Sequence, residues 1–242
     1  METKNYVCSG DVCTPAVEEV TAEIKNQDGG AILVEIISDL ICPWCFIGKK
    51  RFELALAQID FADQVRVIWR PFQLNPDMPT EGLNRRQYRT KKFGSWEHSQ
   101  KLDAQVAEAG LEMGIPFNYE IVEKTPNTFL GHRLIWYANQ KGKQDAVVEA
   151  LFKAYFCDGL DVGEIATLVK VGIQAGLEEQ PVSDFLRSTE GTKEVQEEEA
   201  RSKLLGVSGV PAFILNGEPI FSGAQDPNTI IKSLREAAKQ AV

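Results

Sequence analysis

The alternation of hydrophobic and polar positions divides the chain into a polar beginning, strand-rich segments near both ends and a long helical stretch between them. Residues 1 to about 30 are polar, lack clear periodicity and end in the turn-forming run 26–30, which predicts an N-terminal arm. The nearly all-apolar, β-branched segment 31–37 predicts a central strand buried on both faces, and the alternating segment 65–72 predicts a second strand. The folded part of the chain is therefore expected to begin near residue 31.

Between these two strands the spacing of apolar residues changes to a helical period. Phe52, Leu56 and Ile59 recur at intervals of four and three residues, and Cys45 lies seven residues before Phe52 on the same predicted face. We therefore expect a helix that begins at Pro43 and turns Cys45 toward the interior.

The long middle of the chain shows helical signals and no convincing strand. Ser95 is predicted to cap one helix and Asn127 another. Asp161 and Glu164 have the spacing of a capping box for a third helix. The charged run 194–201 predicts a solvated helix face rather than a site. Together these signals indicate an all-helical block.

Strand signals return after residue 206. The segments 212–215 and 219–221 flank the Asn-Gly pair at 216–217, which is typical of a two-residue hairpin turn. The Asp-Pro pair at 226–227 predicts the cap and the first residue of a final helix. The order strand, helix, strand, helical block, hairpin and helix predicts an α/β protein.

Composition and charge narrow the functional class. The chain has 242 residues, of which 43% are hydrophobic and 25% charged, as in ordinary soluble proteins. Its formal net charge of −9 disfavours a nucleic-acid partner, because such proteins concentrate Lys and Arg. No apolar run approaches the roughly 20 residues that span a bilayer, so no membrane partner is expected. The polar first residues lack the apolar stretch of a secretory signal, which predicts a cytoplasmic protein.

The strongest chemical signal is a pair of cysteines. Cys42, Pro43, Trp44 and Cys45 form a CxxC motif directly after the predicted central strand and at the start of the predicted helix. Cys42 then lies beyond the helix end, where unpaired N–H groups and the helix dipole favour a thiolate, and Pro43 takes the first helical position. Exchange would run through a mixed disulfide on Cys42 that the buried Cys45 resolves. These four residues are the predicted catalytic centre.

The other cysteines carry separate expectations. Five cysteines, with mixed spacings, favour selective thiol chemistry in a reducing compartment over a structural disulfide framework. Cys8 and Cys13 in the arm are hypothesised to form a second redox pair that exchanges with the motif. Two less favoured alternatives are that the motif cysteines are core thiols, or that they complete a zinc site with the arm pair, whose spacing implies no fixed geometry. Cys157 is predicted to be a partly buried helical thiol.

Few other side chains suggest chemistry. The two histidines, His98 and His132, give little material for a metal or triad site, so no metal is predicted. Trp44 is expected to be exposed near the thiols as part of a rim for substrate. Phe72 is expected in the core.

The segment 38–49, which contains the motif, resembles the active-site signature of the FrnE-type members of the DsbA-like thioredoxin-fold family. The other segments similar to that family are 70–79, 127–128 with 132–134, 154–156, 209–211 and 222–225. The likeness covers about 31–242. It implies an α/β thioredoxin fold with a large all-helical insertion.

The same resemblance implies the domain organisation. The thioredoxin domain would consist of 31–79 and 207–242, interrupted by an inserted helical domain at 80–206. Residues 1–30, with Cys8 and Cys13, would lie outside it as a flexible arm.

The resemblance also implies further site residues. Pro211 would be a cis-proline beside the motif, and Val210 would present its backbone to a substrate chain. Asn127 and His132 belong to a segment that borders the active-site groove in relatives, and they complete the predicted substrate-binding set. Trp44 stands where DsbA itself has histidine, so we expect a couple less oxidising than the roughly −120 mV of DsbA.

These observations predict a thiol–disulfide oxidoreductase or isomerase that acts on protein disulfides or thiols, with no cofactor beyond the redox-active disulfide and with glutathione as a candidate reductant. A second hypothesis is a glutathione-dependent enzyme, because relatives of this fold include 2-hydroxychromene-2-carboxylate isomerases and kappa-class glutathione transferases. Those usually carry serine at the position of Cys42 and lack the second cysteine, so the pair Cys42 and Cys45 favours dithiol chemistry. A chaperone-like binding module is the third hypothesis.

Overall fold

A computed structural model describes the backbone of residues 6–9, 12–15 and 32–240. Its strands are β1 (Tyr6–Ser9), β2 (Val12–Pro15), β3 (Ile32–Ser38), β4 (Val65–Pro71), β5 (Leu83–Asn84), β6 (Lys124–Thr125), β7 (Ala212–Leu215) and β8 (Glu218–Ser222). Its α-helices are α1 (Pro43–Leu56), α2 (Arg85–Phe93), α3 (Trp96–Leu111), α4 (Phe129–Gln140), α5 (Gln144–Phe156), α6 (Ile165–Gln174), α7 (Glu179–Arg187), α8 (Thr192–Leu204) and α9 (Pro227–Gln240). None of these helices of the described chain is both long and apolar enough to cross a membrane.

The chain divides into two compact units, of which the first contains the main sheet. This unit runs up to Ser38 and continues with residues 48–72 and from Lys193 onward. The four strands of the main sheet lie in the order β4-β3-β7-β8. β3 is parallel to β4 and antiparallel to β7, and β7 is antiparallel to β8. All seven residues of β3 are buried, which confirms the predicted central strand.

The predicted hairpin between β7 and β8 is present. Asn216 and Gly217 both have positive φ angles, 48° and 86°, as a two-residue turn of this kind requires. The side-chain oxygen of Asn216 also accepts a hydrogen bond of 2.9 Å from the backbone N–H of Leu33. The turn residues therefore close the hairpin and join it to β3.

The final helix also begins where the sequence predicts. Pro227 is the first residue of α9, and the carboxylate of Asp226 accepts hydrogen bonds from the backbone N–H groups of Asn228 and Thr229 at 3.0 and 3.1 Å. These bonds satisfy donors that a helix start leaves open.

A buried ion cluster crosses the sheet unit, and here the expectation for the charged run 194–201 is wrong. Glu35, in the centre of β3, is fully buried and accepts two hydrogen bonds from Arg201, at 2.7 and 2.8 Å. Arg70 donates to Glu35 at 2.7 Å and to Glu198 at 2.6 Å. Burial alone would raise the pKa of Glu35, but the two arginines outweigh it and hold that pKa below its usual value. Two members of the run are therefore partners of the sheet, Arg201 of Glu35 on β3 and Glu198 of Arg70 on β4.

The second compact unit, residues 39–47 and 73–192, is mostly helical and contains α2 to α7. It also holds a ladder of two-residue strands that the sequence pattern does not predict: β5, directly before α2, pairs antiparallel with β6, which lies between α3 and α4. Two residues on each side are too few to produce a detectable alternation.

The helix starts of this unit follow the predicted caps to different degrees. Ser95 caps α3 by accepting the N–H of His98 at 3.0 Å, as predicted. Asn127 accepts the N–H of Phe129 at 3.0 Å, so it does satisfy the first residue of α4, although Thr128 holds the cap position. The prediction of a capping box formed by Asp161 and Glu164 is wrong.

Asp161 instead closes a tight turn. One oxygen of its side chain accepts a hydrogen bond from the N–H of Gly163 at 3.0 Å, and the other forms an ion pair with Lys124 at 2.9 Å. The helix α6 starts only at Ile165, after Glu164 in an extended conformation. The carboxylate is therefore occupied before the helix begins.

An aromatic cluster forms the core of the helical unit. The ring of Phe46 stacks on Phe152 at a centroid distance of 5.1 Å, and its edge-on contact with Phe117 is at 6.0 Å. Phe156 lies 5.3 Å from Phe117 and 6.5 Å from Phe46. Phe46 directly follows Cys45 in the chain, so the first turn of α1 is packed into this cluster.

Candidate active site

The CxxC motif lies at the N-terminus of α1, as predicted. Pro43 is the first helical residue, and the backbone N–H of Cys45 donates to the carbonyl of Cys42 at 3.0 Å. Cys42 is 5% exposed and Cys45 is fully buried, whereas Trp44 is 41% exposed. The two sulfur-bearing residues are therefore separated by one turn at the positive end of a helix.

A buried carboxylate supports the turn before the motif. The backbone carbonyl of Asp39 accepts the N–H of Cys42 at 3.0 Å, and its side chain accepts the N–H of Leu74 at 2.7 Å. The other carboxylate oxygen lies 3.5 Å from Nε2 of His132 on α4, and both residues are buried. Neither of these two atoms has a hydrogen-bond partner among the described residues. The sequence did not single out Asp39.

A cleft of about 300 Å³ opens beside the motif within the helical unit. Cys42 and Trp44 line one part of it, and Arg85, Arg89 and Lys92 of α2 line another. These three cations do not stand out in the sequence. Their spacing of four and three residues along one helix face is the signal that could have found them.

Pro211 packs against the helix that carries the motif. The Val210–Pro211 peptide bond is cis, the geometry that the resemblance implies. A Cβ atom at Gly48 would lie 3.1 Å from Cγ of Pro211, so glycine permits this close approach to α1. Val210 packs on a buried cluster that includes Ile37 and Phe72, which is in the core as expected. The roles of Pro211 and Val210 toward substrate stay predictions.

Asn127 and His132 have internal partners in this structure. The side-chain amide of Asn127 donates to the carbonyl of Met78 at 2.7 Å, in addition to its bond with α4. His132 is 3% exposed and faces Asp39. Their part in substrate binding therefore stays a prediction that nothing in this geometry tests.

The arm cysteines are described only in their backbone. Cys8 and Cys13 stand opposite each other in the register of the β1–β2 hairpin. Their side chains lie outside the described residues, so the second redox pair stays a prediction. Among the described side chains, no three His, Cys, Asp or Glu residues converge as ligands of a metal ion.

Cys157 follows α5 directly and is partly buried. Burial raises the pKa of its thiol, and the neighbouring carboxylate of Asp158 raises it further. A thiol in this environment forms little thiolate at neutral pH, and it is a poor nucleophile there.

We expect iodoacetamide to modify Cys157 more slowly in the folded protein than in the same chain unfolded in urea at pH 8, because the thiolate is the reactive form. Peptide mapping by mass spectrometry after timed quenching measures both rates. The folded-state rate should rise with pH beyond the range in which the unfolded rate levels off. Equal rates in both states would contradict the assignment of Cys157 as an inert thiol.

Comparison with known proteins places this architecture in a family. Residues 33–235 match the model of the DSBA-like thioredoxin domain. The chain therefore belongs to the DSBA-like thioredoxin domain family, and its fold is a thioredoxin fold with a large, mostly helical insertion.

Two relatives extend over nearly the whole fold. A probable DsbA oxidoreductase from Streptomyces coelicolor is 30% identical, with a TM-score of 0.80 over 86% of this chain and 91% of that one. The uncharacterized protein YwbO of Bacillus subtilis is 26% identical over 86% of this chain and 98% of its own length. The family relation thus spans both compact units.

More distant structures share the fold alone. The cytosolic disulfide reductase DsbM from Pseudomonas aeruginosa is 16% identical, with a TM-score of 0.61 over 86% of this chain and 99% of that one. A 2-hydroxychromene-2-carboxylate isomerase is 17% identical, with a TM-score of 0.64 over 86% of this chain and 97% of that one. Both chemistries that the sequence suggests therefore occur on this fold, and the residues of the site have to distinguish them.

Proposed function

We propose that this protein is an FrnE-type thiol–disulfide oxidoreductase that oxidises, reduces or isomerises protein disulfides through the dithiol of Cys42 and Cys45. The observation that carries the proposal is the position of these residues. They lie one turn apart at the N-terminus of α1, and Cys42 lines a cleft while Cys45 is buried behind it.

The exchange needs only the two cysteines. The Cys42 thiolate attacks one sulfur of a substrate disulfide, forms a mixed disulfide and releases the other substrate sulfur as a thiolate, which takes up a proton. The Cys45 thiolate then attacks the Cys42 sulfur, closes the intramolecular disulfide and releases the second substrate thiol. Two electrons pass from the dithiol to the substrate, and the reverse sequence oxidises a substrate dithiol.

The backbone geometry favours Cys42 as the first nucleophile. Cys42 precedes the first residue of α1, where the open N–H groups and the helix dipole stabilise negative charge. Cys45 is fully buried, so an external disulfide cannot reach it as readily. The order of attack follows from this difference in access.

Glutathione is the proposed reductant that returns the pair to the dithiol, and the proposed location is the cytoplasm. The cytosolic disulfide reductase DsbM has been solved with glutathione, which supports both parts of the proposal. The glutathione-dependent isomerase remains the second candidate, but the retained pair of Cys42 and Cys45 favours dithiol exchange.

Equilibration of the purified protein in glutathione buffers tests the proposal. We expect a single dithiol–disulfide couple, absent from Cys42→Ser, with a potential more reducing than roughly −120 mV because Trp44 supplies no cation beside the sulfur. Alkylation of the quenched samples and mass spectrometry of the motif peptide report the oxidised fraction. A parallel insulin-reduction assay reports turnover on a protein disulfide. The absence of any titratable couple would overturn the proposal.

A further inference from the structure

The cleft beside Cys42 carries an excess of positive charge. Arg85, Arg89 and Lys92 line it, and Asp103 is the one carboxylate among its lining residues. This leaves two positive charges in excess in a chain whose formal net charge is −9. The charge of the cleft is therefore opposite to that of the whole protein.

Asp103 holds the two arginines and leaves the lysine to other partners. One oxygen of Asp103 accepts from Arg85 and the other from Arg89, both at 2.7 Å. Arg85 is nearly buried, and Arg89 also donates to the hydroxyl of Ser99 at 2.6 Å. A single carboxylate thus fixes two guanidinium groups, whose combined charge exceeds its own.

Lys92 has only neutral partners within the described part of the chain. Its ammonium group donates to the hydroxyl of Tyr88 at 2.9 Å and to the side-chain oxygen of Asn75 at 3.2 Å. No carboxylate of the described residues lies within ion-pair distance of it. These neutral oxygens hold the ammonium in place without cancelling its charge, so it can still attract an anion.

Apolar side chains complete the cleft. Leu74, Phe93, Leu102 and Val106 line it together with Trp44. Its volume of about 300 Å³ is at the lower end of the range for small-molecule sites and is too small for a folded protein segment of any size. The cleft therefore fits a small compound with an apolar part and a negative group.

We propose that this cleft selects small carboxylate-bearing disulfides and thiols as exchange partners of Cys42, and that Lys92 and Arg89 receive the carboxylate. This inference rests on the proposed function, because it concerns the compounds that exchange with the same dithiol. A carboxylate accepts hydrogen bonds from ammonium and guanidinium groups, whereas an ammonium-bearing disulfide would be repelled by them.

Three small disulfides of different charge test the proposal in a Cys45→Ala background, where the mixed disulfide on Cys42 accumulates. The probes are dithiodipropionate, which carries two carboxylates, the neutral hydroxyethyl disulfide and the dicationic cystamine. Quenched-flow mass spectrometry gives the second-order rate constant for each. We expect dithiodipropionate to react fastest and cystamine slowest, and the preference for dithiodipropionate to weaken as salt screens the charges.

The substitution Lys92→Gln should lower the ratio of the dithiodipropionate rate constant to the hydroxyethyl disulfide rate constant by roughly three- to fivefold, the effect of one partly exposed charge pair. Lys92→Glu should lower the ratio further and raise the rate constant of cystamine. The matched control is Lys193→Gln, which makes the same change in net charge at an exposed site on α8, and it should leave the ratio as it is.

Two results would overturn the inference while leaving the proposed function intact. One is an equal fall of all three rate constants in Lys92→Gln, which would indicate a structural effect. The other is a set of wild-type rate constants that do not differ with the charge of the disulfide. A failure of hydroxyethyl disulfide to modify Cys42 at all would instead contradict the dithiol mechanism itself.

Discussion

Replacing Cys42 with serine is expected to lower the rate of disulfide exchange by at least about a thousandfold, because the reaction loses its nucleophile. Cys45→Ser is expected to behave differently. It retains the first attack but cannot resolve the product, so a mixed disulfide with the substrate accumulates on Cys42. Insulin reduction measures the first effect, and intact-protein mass spectrometry measures the second.

Cys157→Ser is the matched control for this pair of variants. This substitution removes a partly buried thiol whose pKa is raised, and the variant should retain wild-type turnover. Substantial exchange by Cys42→Ser, or a mixed disulfide mapped to Cys45 in the wild-type protein, would contradict the order of attack.

Arg201→Met is expected to destabilise the protein by about 3–5 kcal/mol, the cost of leaving a buried carboxylate without its main partner. Glu35 is fully buried and accepts two hydrogen bonds from Arg201. Arg70 remains in the variant, but it also donates a hydrogen bond to Glu198. Urea unfolding followed by circular dichroism gives the free energy of unfolding for both proteins.

Lys193→Met on the same helix is the control for this stability effect. Lys193 is exposed and pairs with the partly exposed Glu197 at 3.4 Å, so its loss should change the free energy of unfolding by no more than about 1 kcal/mol. Equal effects of the two substitutions would show that the ion cluster contributes no more than a surface pair.

The destabilisation by Arg201→Met should also depend on pH. The pKa of Glu35 is lower in the folded protein than its usual value, so its stabilising contribution is complete above the unfolded pKa and disappears as pH falls through the folded pKa. Without Arg201 that pKa rises. The difference in stability between wild type and variant should therefore shrink as pH falls from the raised pKa of Glu35 in the folded variant to its lowered pKa in the folded wild type.

Features set by a few neighbouring residues could be predicted from the sequence. The Asn216–Gly217 turn and the Asp226–Pro227 helix start each depend on backbone preferences that act within four residues. The CxxC motif is of the same kind. Pro43 begins α1 and Cys45 is buried, because both follow from the strand before the motif and the helical period after it.

Features that depend on distant partners could not be predicted in this way. Glu35 and Arg201 are 166 positions apart, and nothing in the charged run around Arg201 indicates that one end of it reaches a buried strand. Asp161 has the spacing of a cap, but Lys124, far away in the chain, binds its carboxylate. Tertiary contacts decided both cases.

The candidate site shows the same division. The sequence identifies the two cysteines but not the cations of α2, since the amphipathic pattern of a short polar helix does not reveal which of its residues face a cleft. Asp39 was missed for a related reason. A carboxylate next to a CxxC motif is unremarkable until its burial and its contact with Leu74 are known.

The packing of Phe46 limits how far the redox centre can be treated as a transferable module. Phe46 follows Cys45 directly, and its ring contacts Phe117 and Phe152 from the inserted segment. A minimal domain made by deleting that segment would expose a large apolar ring next to the reactive sulfurs and invite aggregation at that point. The inserted segment therefore supports the dithiol structurally. A graft of the motif onto another protein has to include aromatic rings that pack against Phe46.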